Sequence, residues 1–84
     1  MLIQSPEALA LYVREQRKSK KLTQSDIAEQ VGIKQDTVSD FENRPKGTKV
    51  ETLFKILAAT GLEVHILPSG TPLESNKHQW DEPW

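Results

Sequence analysis

The sequence predicts a mainly α-helical fold of four to five short helices, followed by one C-terminal strand that pairs across a dimer. Three observations predict it. Residues 22–44, LTQSDIAEQVGIKQDTVSDFENR, carry two apolar stripes at helical spacing on either side of a glycine, the layout of a helix-turn-helix. Serine, threonine and proline stand where helices begin, and glycine stands where they end. Only residues 62–67 alternate with the period of two that marks a strand.

Taken in order, Ser5-Pro6-Glu7 opens the first helix with an N-cap, a proline at the first helical position and an acid in the first turn. Leu9 and Val13 share one face. The basic run Arg17-Lys18-Ser19-Lys20-Lys21 suits the helix C-terminus. Thr23 begins the second helix, at roughly 23–31, and Asp26 completes a capping box three residues later. Ile27, Ala28 and Val31 fall on one side, and Gly32 ends the helix. The third helix, roughly 34–43, buries Val38 and Phe41 and turns Lys34, Gln35, Asp36, Thr37, Ser39 and Asp40 elsewhere. Such a polar face fits the major groove of double-stranded DNA.

Arg44-Pro45-Lys46-Gly47-Thr48 is a polar loop. Thr48 is expected to cap a fourth helix in which Val50, Leu53, Phe54 and Leu57 line one side, Ile56 widens the stripe and Gly61 is the stop. Leu62, Val64 and Ile66 form one face of the strand, which Pro68 halts. A lone strand leaves its backbone groups unpaired. The only other strand signal is weak, in the first four residues, so the expected partner is the same strand of a second copy. Residues 1–67 thus form a helix-turn-helix and dimerisation domain. Residues 68–84, PSGTPLESNKHQWDEPW, read as a flexible acidic tail ending in Trp.

Eighty-four residues allow one small domain. Such a chain buries only about 60% of its unfolded surface and gains stability from tight packing or from a second subunit. The absence of cysteine excludes disulfides and cysteine-based zinc sites. His65 and His78 stand without clustered ligands, so no metal is expected. No stretch approaches the ~20 apolar residues of a membrane span, and the first residues lack a signal-peptide pattern, so a cytoplasmic location is expected. Residues 1–68 hold ten Lys/Arg against nine Asp/Glu, whereas 69–84 hold one against three. Near-neutrality lowers non-specific DNA affinity but permits a local basic face. There is no nucleophile–base pair, metal cluster or Gly-rich phosphate loop, so neither enzyme activity nor a cofactor is expected.

The pattern L-T-Q-x-x-[IL]-A-x-x-x-G-[IV]-x-x-x-x-[IV]-S-x-[FW]-E-N resembles the lambda-repressor-like (Xre) DNA-binding domains over about residues 9–61. Within that family, I-K-Q-x-T-[IV]-S-x-F-E-N at 33–43, the K-V-E-T-L-F-K-I-L of residues 49–57 and a short tail ending in Trp resemble the HipB antitoxins; Lys49 departs from a Thr in that pattern. The resemblance implies a homodimer with strands paired across the two-fold axis, repression of its own operon, and a HipA-type serine/threonine kinase toxin as partner. It also implies that Gln24 bonds a backbone phosphate, and that Arg17 and Glu42 form a structural ion pair between the first and third helices.

Residue chemistry adds detail. Lys34 and Gln35 begin the recognition helix, where Lys can donate to guanine and Gln can pair with adenine. Asp36 either accepts from cytosine N4 or lies aside. Thr37 and Ser39 can reach phosphates or bases, and Asp40 shares the face of Asp36 one turn on. Lys18, Lys20, Lys21, Arg44, Lys46 and Lys49 are candidate phosphate contacts, Arg44 and Lys46 foremost because their loop follows the recognition helix. Trp80 and Trp84 are unusual in a polar segment; they either anchor in a partner pocket or fold back on the domain. The remaining alternatives are a stand-alone repressor without a toxin and a module that binds only protein.

Overall fold

The computed structural model describes residues 2–70. Ser5 Oγ accepts the Ala8 N–H at 3.1 Å and starts α1 (Pro6–Ser19). Thr23 and Asp26 form the reciprocal capping box of α2 (Gln24–Val31): Asp26 N–H donates to Thr23 Oγ1 at 3.0 Å, and Thr23 N–H donates to Asp26 Oδ2 at 2.8 Å. The Thr23 amide holds the Asp26 carboxyl below its ordinary value of 3.8, reinforced by the Thr23 hydroxyl. A depressed native pKa favours the fold above the ordinary value, and the gain is lost as pH falls through the lower one. α3 (Gln35–Asn43), a 3₁₀ turn at Pro45–Gly47 and α4 (Val50–Ala59) complete the described domain.

Each helix buries a narrow stripe. Ala10, Val13 and Arg17 point inward from α1, Ile27 and Ala28 from α2, Val38 and Phe41 from α3, and Ile56, Leu57 and Ala59 from α4. α2 packs on α3 and α4, while α1 packs on α3 and the 3₁₀ turn. Val13, Ile27 and Val38 are completely excluded from solvent at the centre.

Three helices leave by the same device. Lys21, Gly32 and Gly61 follow α1, α2 and α4 with φ of 59°, 72° and 73°. The next amide in each case, from Leu22, Ile33 or Leu62, returns to a carbonyl in the last turn: Arg17 at 3.0 Å, Ala28 at 3.0 Å and Leu57 at 2.9 Å. This is the long bond of a Schellman closure. All three closing residues are apolar, and all three pack against the core. The turn that reverses the chain therefore also adds a side chain to the interior. Lys20 reinforces the last closure, since its Nζ donates to Thr60 O at 2.7 Å.

Several expectations change. Lys34 is the N-cap of α3 rather than its first helical residue. Thr48 does not cap α4; its N–H closes the 3₁₀ turn onto Pro45 O at 3.0 Å, and Lys49 takes the cap position without a side-chain bond. Val50 and Phe54 do not line the core: they are 66% and 52% exposed, because Ile56, Leu57 and Ala59 already fill the inward side. α4 is apolar on more than one face, and the single chain can cover only one of them. Residues 62–67 have no strand beside them among the described residues, and the strand expected to pair with them belongs to a second copy. Leu62 packs on the core, whereas Val64 and Ile66 face outward. Trp80, Trp84, His78 and most of the expected tail lie outside the described residues.

The closures predict an ordering of stabilities by urea denaturation. A left-handed conformation costs a non-glycine residue about 1–2 kcal/mol. Lys21→Gly should therefore stabilise by up to about 1 kcal/mol after glycine's greater loss of chain entropy. Gly32→Ala, whose Cβ would meet open space, should lose about 1 kcal/mol. Gly61→Ala should lose about 2 kcal/mol, because its Cβ would also displace Lys20 Nζ from Thr60 O. Equal losses at the two glycines would show that the Lys20 bond contributes nothing.

Candidate nucleic-acid interface

α3 buries Val38 and Phe41 and leaves Asp36, Asp40 and Asn43 exposed on its opposite side. Their spacing of four and then three places them in one row along the helix. Lys34 and Gln35 stand exposed at the head of that row, and Thr37 and Ser39 flank it half-buried. No side chain caps the start of α3. Its first amides and the positive end of its dipole are thus open to an anionic neighbour.

The row is fixed from beneath by Arg17. Its guanidinium donates from Nε to Glu42 Oε2 at 2.7 Å and from Nη2 to Oε1 at 3.0 Å, a two-point pair. Nη1 donates to Leu22 O at 2.8 Å. Both side chains are nearly excluded from water, at 10% and 3% exposure. Gln24 joins them: its Nε2 donates to Glu42 Oε1 at 3.1 Å. Gln24 is thereby neither free on the surface nor buried, but half-buried with its amide held. Since an amide nitrogen carries two hydrogens, one remains for a phosphate beside the start of α2. One buried carboxylate therefore sets the relative positions of α1, the first turn of α2 and the end of α3.

A second tie joins the two helices at their heads. Ser25 Oγ donates to Gln35 Oε1 at 3.0 Å. The bond leaves the Gln35 amide nitrogen and one oxygen lone pair for a base edge. Ser25 escapes sequence reasoning because nothing local links residues ten apart. Asn43 could have been found: it continues the helical spacing of Asp36 and Asp40, and its Nδ2 donates to Ser39 Oγ at 3.2 Å.

The cations divide into two groups. Arg44 Nη2 pairs with Asp40 Oδ1 at 2.8 Å, and Lys46 Nζ lies 3.7 Å from Glu7 Oε2. Both pairs are exposed, so each is weak and can yield to a phosphate. Together with Lys49 they border a groove that also involves Thr37 and Thr52. Lys20 is a tie to α4 rather than an open phosphate contact, and Lys21 is a helix closure that stays exposed beside Lys18. His65 Nε2 is 3.0 Å from Glu63 Oε2. Among the described residues no group of three or more His, Cys, Asp or Glu is placed to hold a metal, and no helix is long and apolar enough to cross a membrane.

The helix-turn-helix family profile matches residues 13–67. The chain is 37% identical over 82 residues to a protein named Antitoxin HipB from Escherichia coli O6:H1 (strain CFT073), covering 98% of this chain and 87% of that one. The protein of that name from Escherichia coli K12 is 35% identical over 82 residues, covering 98% and 93%. Among solved structures, a chain in "Structure of HipA-HipB-O2-O3 complex" superposes with a TM-score of 0.80 at 39% identity, over 82% of this chain and 97% of that chain.

The buried pair carries the prediction for this region. Glu42→Ala would leave the Arg17 charge buried and uncompensated, a loss of about 3 kcal/mol or more. In a domain of this size that lowers the melting temperature by at least about 10 °C. Thermal unfolding by circular dichroism checks it, and equal melting temperatures would show that the pair contributes nothing.

Proposed function

Because the chain belongs to the helix-turn-helix family, on the branch of the HipB antitoxins, we propose that it is a DNA-binding antitoxin that represses its own toxin–antitoxin operon and binds a HipA-type serine/threonine kinase toxin. The observation that carries the DNA reading is the exposed polar row of α3, locked to the start of α2 by Ser25–Gln35 and Gln24–Glu42. A helix held this way enters the major groove N-terminus first. Lys34 donates to guanine, and Gln35 pairs with adenine. Gln24, Arg44 and Lys46 take phosphates on either side and fix the register, and Thr37 and Ser39 lie within reach of the same backbone. Asp40 serves by holding Arg44. Repression then requires only that the bound protein occlude a promoter. The role is one of binding, with no catalytic residue and no cofactor, and its place is the cytoplasm.

Dimerisation follows from what the single chain leaves uncovered. Val50 and Phe54 on α4, and Val64 and Ile66 beyond it, face outward. Pairing of residues 62–67 across a two-fold axis, with Leu62 kept on its own core and Val64 and Ile66 supplying the outward apolar surface, would satisfy the strand and bury that surface. Two recognition helices would then meet a palindromic operator about one helical turn, ~34 Å, apart. Toward the kinase, the acidic sequence of residues 68–84 supplies the anchor through Trp80 and Trp84, Trp84 foremost.

Operator binding tests the first half. Lys34→Ala should weaken operator affinity by about 1–3 kcal/mol with unchanged melting, and Gln35→Ala should weaken it by at least as much while also losing the Ser25 tie. Lys46→Ala should weaken binding alike on all sequences and reduce the log–log salt slope by about one. A slope near zero for the unmodified chain would refute phosphate-led binding.

Co-purification with the product of the adjacent gene tests the second half. The full chain should capture it, and a chain lacking residues 79–84 should capture less. Equal capture would move the contact to the folded domain, and no capture by either would leave a lone repressor.

A further inference from the structure

The exposed row of α3 contains two carboxylates that the structure treats differently. Asp40 has its own cation, Arg44, at 2.8 Å. Asp36 stands at the second position of the helix, exposed, with no ion-pair or hydrogen-bond partner among the described residues. If α3 enters the groove by its N-terminus, Asp36 comes closer to the base edges than Asp40 does. It would do so as an uncompensated negative charge between two phosphate backbones. The partial positive charge at the start of α3 faces that carboxylate, but it is no substitute for a donor.

Resting on the DNA-binding reading above, we propose that Asp36 is a specificity residue: it accepts the N4 amino hydrogen of a cytosine in each operator half-site. The chemistry of the groove leaves little choice. An ionised carboxylate only accepts. Guanine shows it two acceptors, N7 and O6, and thymine shows O4 and a methyl group. Adenine offers N6, but the neighbouring N7 repels the second carboxylate oxygen. Cytosine N4 is a donor with no acceptor on the same base edge. Gln35 and Lys34 beside it suit adenine and guanine, so the three side chains at the head of α3 carry three different base preferences.

Selection from a randomised duplex library by the full chain is the test, run in parallel with Asp36→Ala and Asp36→Asn. The unmodified chain should enrich cytosine at one position per half-site, with roughly five- to 150-fold discrimination. Asp36→Ala should lose the preference there and keep it elsewhere. Asp36→Asn should move it from cytosine to adenine, since an amide can both donate to N7 and accept from N6. This gain of a new preference shows that the variant is folded. Unchanged selection by both variants, or uniformly tighter binding to every sequence, would overturn the role of Asp36 alone. An unmodified chain that selects no sequence would overturn the DNA-binding reading and this assignment together.

Discussion

A single buried charge pair organises this domain. Arg17 spends its donors on Glu42 and on the Leu22 carbonyl, and Glu42 accepts in addition from Gln24. An isolated charge in such a place is costly, so neither partner can be moved without the other. Because the four residues come from α1, the loop after it, the head of α2 and the end of α3, that restriction fixes three elements at once. Apolar packing alone tolerates small rotations of a helix about its axis. A two-point guanidinium–carboxylate pair does not, because both bonds must stay in one plane. For a surface that must match the spacing of base edges, the difference matters more than the energy.

The three helix closures solve the complementary problem of size. A chain this short has few interior positions. By returning Leu22, Ile33 and Leu62 to the core at the points where helices end, it recruits loop residues to the interior. The segments between α1, α2 and α3 are correspondingly short, and the functional side chains sit on helices rather than on long loops. Ser25 and Gln35, ten positions apart in sequence, meet for this reason.

Much of this is legible from local chemistry. The capping box of Thr23 and Asp26, the Ser5–Pro6 start and the stops at Gly32 and Gly61 need only nearest neighbours, and the structure has them where the residue types place them. Lys21 is the exception, since it performs a glycine's task without being one. Thr48 misleads because a 3₁₀ turn claims its amide two residues before α4 begins. Val50 and Phe54 mislead for a different reason: periodicity identifies an apolar helix but not which of two apolar faces its own chain covers. At the interface, the exposed row follows from helical spacing, whereas the bonds that hold Gln24 and Gln35 are tertiary and leave no mark on the sequence. That Asp40 has a cation four residues on, in Arg44, and Asp36 has none at helical spacing is legible in the sequence.

The outward apolar side of α4 has a meaning for supply as well as for shape. If a second copy covers Val50 and Phe54, folding and association are one equilibrium, and the stability of each chain rises with the number of chains present. As synthesis falls, the remaining molecules spend more time apart, with apolar surface bare and the fold less secure. Loss then accelerates loss, and a gradual decline in an antitoxin becomes an abrupt one. A threshold of that kind requires no sensor; it is a property of a domain too small to cover all of its own fourth helix.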